Sequence, residues 1–168
     1  MRLGDKEITG EETALFVGKN SYYYLRKWAE MEQKSSAIST NWEAFVSFFY
    51  WAAARKMYHY VGVTIAVLLV GAFIDLWFGL GKYLMRGGIV VTMVVYGIFG
   101  NYMYKHYSTR EIKRIKAKKL PPEQYEAALR QSGGTSIKGV IITTICLAIA
   151  TFIMVLPYAI REVLSKQH

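Results

Sequence analysis

Three apolar runs divide the chain. Asp75 is the only charged residue from Val61 to Leu80, and neither Ile89–Tyr104 nor Gly139–Ile160 carries any charge. Twenty residues of helix rise about 30 Å, the thickness of a hydrocarbon core. An amphipathic helix of a soluble protein would show a polar face; these runs offer only scattered Thr, Asn and Asp. The pattern predicts an all-α integral membrane protein with three transmembrane helices, over about 58–80, 87–104 and 139–160.

The segments between the runs are patterned too. Residues 1–40 form a cytoplasmic N-terminal segment, polar apart from a possible anchor at Phe16. It contains an amphipathic helix over 21–33, capped by Asn20 or Ser21, with Tyr24, Leu25, Trp28 and Met31 on one face. That face docks either on the membrane or a partner, or on the protein's own cytoplasmic side. Residues 34–40 read as a linker. In 41–54, Trp42, Phe45, Phe48, Phe49, Tyr50 and Trp51 crowd together. Indole and phenol rings favour the headgroup level. An interfacial or re-entrant helix is expected there, with Trp28, Trp42, Phe45, Phe49 and Trp51 as aromatic anchors. The alternative is one long tilted helix over 42–80. A hairpin near Gly81–Gly88 then links the first two spans.

Residues 105–138 make a hydrophilic helical hairpin. Ser108 and Glu111 have capping-box spacing, and the helix they start runs to Lys118 or Lys119. Pro121–Pro122 ends it and opens a second helix over Glu123–Gln131, which Gly133–Gly134 closes.

Charge orients the chain. Its 168 residues carry 21 Lys and Arg against 12 Asp and Glu, a net +9. Residues 1–60 hold eight of the basic residues and 105–138 hold nine, against two each in 81–88 and 161–168. Basic excess marks the cytoplasmic side of short loops. The N-terminus and the 105–138 loop are therefore expected inside, and the C-terminus outside. Arg55, Lys56, Lys105, Arg110, Lys113, Arg114, Lys116, Lys118 and Lys119 form a basic face for anionic phospholipid or a partner protein. Nucleic acid is not an expected partner, since no soluble basic domain is present. No apolar leader follows Met1, so the first span is expected to act as its own insertion signal.

The candidate chemistry is sparse. Cys146 is the only cysteine, and His59, His106 and His168 share no metal-ligand spacing. No cofactor, metal or catalytic constellation is expected. Four residues form a polar candidate set. Asp75 is an acid inside a span. His59 and His106 come to the same interface in an antiparallel hairpin. Asn101 follows Gly97 and Gly100, whose small side lets another helix approach closely. That face is also the candidate contact for a protein partner or a homo-oligomer.

Asn41, Trp42, Ala44 and Phe45, then Trp51, then Arg55-Lys56-Met57-Tyr58, resemble the bacterial membrane family catalogued as domain of unknown function 2628. Phe16-Val-Gly18-Lys-Asn20 with Tyr23 and Tyr24, Asn101-Tyr-Met-Tyr104-Lys-His106, and Gly133-Gly-Thr-Ser136 are similar to its other landmarks. Members often carry a Gly-Pro break in the aromatic segment, where this chain has Phe48-Phe49. The resemblance implies a protein of the bacterial cytoplasmic (inner) membrane and no particular activity. The expected function is a non-catalytic accessory or scaffold subunit of a membrane complex. A small oligomeric transporter or pore is the alternative.

Overall fold

The computed structural model describes residues 8–78 and 81–165, with the side chains of 75–77, 81–85, 154 and 157–165 excepted. The Asp75 side chain therefore lies outside the described residues, as does that of Lys82. All described elements are helical: α1 (Gly10–Val17), α2 (Ser21–Gln33), α3 (Trp42–Ala54), α4 (Tyr58–Phe78), α5 (Gly81–Lys116), α6 (Pro122–Ser132) and α7 (Ile137–Ser165). A 3-10 turn, Gly18–Asn20, joins α1 to α2.

Helices α5 and α7 are long and apolar enough to cross a membrane, while the described apolar stretch of α4, Tyr58–Ile74, is shorter. Only 28% and 11% of the two most apolar windows are buried inside the structure. A soluble core helix of this composition would be mostly covered. Here Val63, Val67, Val70, Val90, Val91, Ile141, Ile142, Ile145, Ile149 and Phe152 all stand more than half exposed. Hydroxyls on these helices bond one turn back: Thr92 to the Gly88 carbonyl (2.8 Å), Thr144 to Val140 (2.9 Å) and Thr151 to Leu147 (2.8 Å).

Helix α5 departs from expectation at both ends. Residues 81–88 are its first turns, not a hairpin. It also runs unbroken past Tyr104 for about 54 Å in all. No capping box forms at Ser108. The Ser108 hydroxyl instead donates back to the Lys105 carbonyl (2.9 Å), and Glu111 lies 3.6 Å from Arg114. A cap stabilises a helix start by satisfying free N–H groups, and a helix arriving from upstream has none there. The helix stops at Lys116, short of Lys119, which takes a left-handed φ of 50°. The expected Asn20 cap is absent too, because the preceding 3-10 turn leads straight into α2.

The end of α5 carries a small hydrophilic lobe. Phe16, Ile112, Ile115 and Leu129 form its buried core, so Phe16 is a core residue, not a membrane anchor. Thr9 and Glu12 make a reciprocal capping box that starts α1. Glu12 then accepts from Tyr125 Oη (2.8 Å) and Lys116 Nζ (3.0 Å), tying α1 to α6 and α5. Burial pulls the Glu12 carboxyl upward, but the Thr9 N–H, Tyr125 and Lys116 together hold it below its usual range. Burial and that same carboxylate push Tyr125 up to about 12.

The loop after α6 closes the lobe onto α1. Gly134 N–H donates to the Phe16 carbonyl (2.8 Å) with φ at 67°. Ser136 N–H donates to the Ala54 carbonyl (2.8 Å), and Ser136 Oγ caps α7 at Gly139 N–H (3.0 Å). A Cβ on Gly133 would stand 1.8 Å from the Phe16 carbonyl oxygen. Gly133→Ala is therefore expected to cost at least the upper end of the about 1–3 kcal/mol typical of overpacking. Gly10→Ala, which meets nothing within 4 Å, should be near neutral. Thermal unfolding in detergent checks this; equal midpoints for the two variants would contradict the packing.

Candidate functional site

The most unusual region lies where α2, α3 and α5 meet. Glu32, near the end of α2, pairs with Lys105 on α5 (2.6 Å). The linker then runs down α5, so that Ser39 N–H donates to the Ile98 carbonyl (2.9 Å) and Asn41 N–H to the Gly97 carbonyl (2.8 Å). Gly97 and Lys105 are eight residues apart, about 12 Å along the axis. Helix α3 climbs back, and past its end Tyr107 Oη donates to the Lys56 carbonyl (3.0 Å). Residues 33–57 thus form a loop that dips beside α5 and returns.

A helical carbonyl has a second lone pair, so Gly97 and Ile98 can accept from the linker within an unbroken helix. Two glycines open the space. A Cβ at Gly97 would lie 2.8 Å from the Phe45 ring, and one at Gly100 3.0 Å from Ala44 Cβ. The small face expected to meet another helix does so within the chain, against α3. It is not free to receive a partner.

Asn101 completes the junction and is fully buried. Its Oδ1 accepts from Asn41 Nδ2 (2.9 Å), and its Nδ2 reaches Ser39 Oγ (3.0 Å) and the Thr40 carbonyl (3.3 Å). Its backbone carbonyl accepts from Trp28 Nε1 (2.8 Å). Asn41 Oδ1 in turn caps α3 at Ala44 N–H (2.9 Å). This is a filled structural network, with no polar notch left for a ligand.

Arg55 occupies the next layer. It is 3% exposed, and its guanidinium sits 4.8 Å from the Tyr24 ring and 5.3 Å from the Tyr104 ring. Those rings meet edge-on at 4.7 Å. No carboxylate among the described residues pairs with Arg55. The buried Tyr104 hydroxyl lies beside the guanidinium without reaching hydrogen-bond geometry to any described group. Cation–π attraction strengthens on desolvation, to about 2 kcal/mol or more per contact, and this aromatic cradle partly replaces the lost hydration.

Several expected surface residues are therefore internal. Arg55 cannot face lipid or a partner. Lys56, with φ at 61°, donates to the carbonyls of Gln131 (2.7 Å) and Gly133 (2.5 Å). It places a cation on the carbonyl end of α6, and burial draws it below the usual lysine value. Trp28 and Trp51 are 5% and 2% exposed, with Trp51 Nε1 donating to Tyr24 Oη (3.2 Å), so neither is an interface anchor. Trp42 is 72% exposed, while Phe45 and Phe49 are half-buried. Lys105 and Lys116 hold the ion pairs described above. Arg110, Arg114, Lys118 and Lys119 are exposed and Lys113 is half-buried, all at the lobe end. His59 and His106 are both exposed, and no cluster of metal-ligating side chains occurs among the described residues.

The sequence reading had Asn41 only as part of the family resemblance and missed its role in the Asn101 network, the Tyr24–Arg55–Tyr104 cradle and the Thr9–Glu12 box. The last was legible as T-x-x-E; the others depend on contacts between residues far apart in the chain. No family model, curated protein or solved structure matches the chain.

Replacing Asn101 by Leu would strand Asn41 Nδ2 and the Thr40 carbonyl, at about 1–3 kcal/mol for each buried group. Thr92→Val removes only a bond within one helix and should cost under about 1 kcal/mol. Unfolding midpoints in detergent should rank them so; equal shifts would show that the network carries no special weight.

Proposed function

We propose that this is a non-catalytic bacterial inner-membrane protein, an accessory or scaffold subunit that crosses the bilayer three times and presents a basic cytoplasmic lobe to anionic lipid or a protein partner. The observation that carries this reading is the segregation of surface along the molecule. An apolar sleeve on α4, α5 and α7 stands exposed, and the charged lobe caps one end of it. Soluble monomers seldom leave contiguous apolar patches beyond a few hundred Å², and a bilayer is the solvent that suits such a sleeve. The lobe joins α1 to the end of α5 and to α6, which supports placing the N-terminus and the 105–138 segment on one side. Both are rich in Lys and Arg, and that side is the cytoplasm by the positive-inside rule. The resemblance to domain of unknown function 2628 belongs to the same proposal.

Thr64 and Asn101, polar groups among the spans, are engaged locally, while the Tyr104 hydroxyl is buried without a partner. Thr64 bonds the Tyr60 carbonyl (2.8 Å) and Tyr96 Oη (2.8 Å), and Asn101 is saturated by the linker. This favours a scaffold over a transport pathway through one protomer. The basic side chains Arg110, Lys113, Lys118 and Lys119, which hold no ion pair among the described residues, are each worth about 1 kcal/mol against an anionic surface.

A single cysteine at Gln124→Cys, in a Cys146→Ala background, should resist an impermeant thiol reagent in intact cells and label after permeabilisation. Arg86→Cys, at the opposite end of α5, should label in intact cells. The reverse pattern would overturn the orientation.

A further inference from the structure

Two adjoining hollows share Thr40 as a common wall. The first, about 200 Å³, is lined by Lys27, Glu30, Met31, Lys34 and Ile38 beside the end of α2. The second, about 230 Å³, is apolar apart from Thr40 and lies among Trp42, Phe45, Val94, Gly97 and Ile98. Gly97 is one of its lining residues. We propose that together they bind one anionic phospholipid of the cytoplasmic leaflet, the phosphate in the first hollow and an acyl chain in the second. This rests on the membrane reading above.

Three observations fix the occupant's chemistry. The first concerns charge. Lys27 and Lys34 face the polar hollow against Glu30 alone, which leaves one net positive charge. Lys27 is 3.5 Å from Glu30, and no ion pair among the described residues engages Lys34. The second is order. The polar hollow adjoins the end of α2, where Glu32 meets Lys105. The apolar hollow spans Val94 to Ile98, about 10–16 Å further along α5 from Lys105 and away from the lobe. Headgroup then chain, reading inward from the basic end, is how a lipid of that leaflet is oriented. The third is the rim. Trp42, which lines the apolar hollow, stands 72% exposed, so the groove opens sideways onto the surface that faces hydrocarbon. A soluble phosphate compound would fill the first hollow only, and a partner helix would have no use for the lysines.

The test is native mass spectrometry of the full chain, released from detergent after equilibration with equimolar phosphatidylglycerol and phosphatidylcholine of identical acyl chains. One phosphatidylglycerol should be retained preferentially, by about fivefold for the one net positive charge at about 1 kcal/mol. Lys27→Gln with Lys34→Gln should bring retention down to the phosphatidylcholine level, and Val94→Phe, which fills the groove, should lower retention of both lipids. Glycerol phosphate should not displace the bound lipid. Neutralising Arg110, Lys113, Lys118 and Lys119 to Gln should leave this one lipid in place. Unchanged selectivity in the Lys27/Lys34 variant, loss of selectivity in the lobe variant instead, or displacement by glycerol phosphate would each overturn the site. Carbonate extraction of cell membranes separates the two levels. A chain that stays in the pellet yet shows no site defeats this inference alone, and a chain released to the supernatant defeats the membrane reading with it.

Discussion

The hydrogen bonds that the 39–41 backbone makes with α5 set the terms for the rest of the molecule. Irregular backbone cannot face hydrocarbon, because each unpaired N–H or carbonyl costs several kcal/mol there. On the proposed membrane reading the linker reaches about 12 Å along α5 from the Lys105 level, and bonds to α5 satisfy part of its backbone. Ser39 and Asn41 donate to Ile98 and Gly97, and Thr40 accepts from Asn101. Asn41 then caps α3, so the same residue ends the irregular segment and starts the helix that carries the chain back. Gly97 and Gly100 are required by this arrangement, since any side chain there would push α3 off α5.

The basic pair at the end of α3 works from inside. Arg55 and Lys56 are adjacent, yet they serve different elements. Arg55 turns into the aromatic layer and holds α2 to α5 through Tyr24 and Tyr104. Lys56, in a left-handed conformation, turns to the carbonyl end of α6 and holds the lobe. Guanidinium is weakly hydrated and stacks on aromatic faces, which suits it to burial among rings; an ammonium suits the point contact with two carbonyl oxygens. One short turn between α3 and α4 thereby connects the dipping loop, the spans and the lobe.

Much of this was legible in sequence. Three apolar runs are evident as runs, and Pro122 and Gly133 bound α6 as their chemistry dictates. The break between α3 and α4 shows that 42–80 is not one helix. The kink inside α3 falls at Ser47, whose hydroxyl bonds back to the Glu43 carbonyl (2.7 Å), and needs no Gly-Pro. The burial of Trp28, Trp51 and Arg55 was not legible. Composition assigns indole rings and guanidinium groups to an interface, and only the approach of α2 and α5, through residues more than seventy apart in the chain, turns them inward. The capping spacing at Ser108 misled for a related reason: a local motif carries no information about whether the preceding helix has already satisfied its N–H groups.

On the membrane reading proposed above, α3 lies within the bilayer, beside α5, and not on its aqueous surface. Val46 is 68% exposed on α3 and contacts no site proposed above for lipid or partner. A spin label at Val46→Cys, in a Cys146→Ala background reconstituted into vesicles, reports the surrounding medium through collision with oxygen or with a water-soluble nickel chelate. The account predicts oxygen-dominated relaxation, as for a label in hydrocarbon. Nickel accessibility equal to that of a label at Lys118 on the lobe would contradict it.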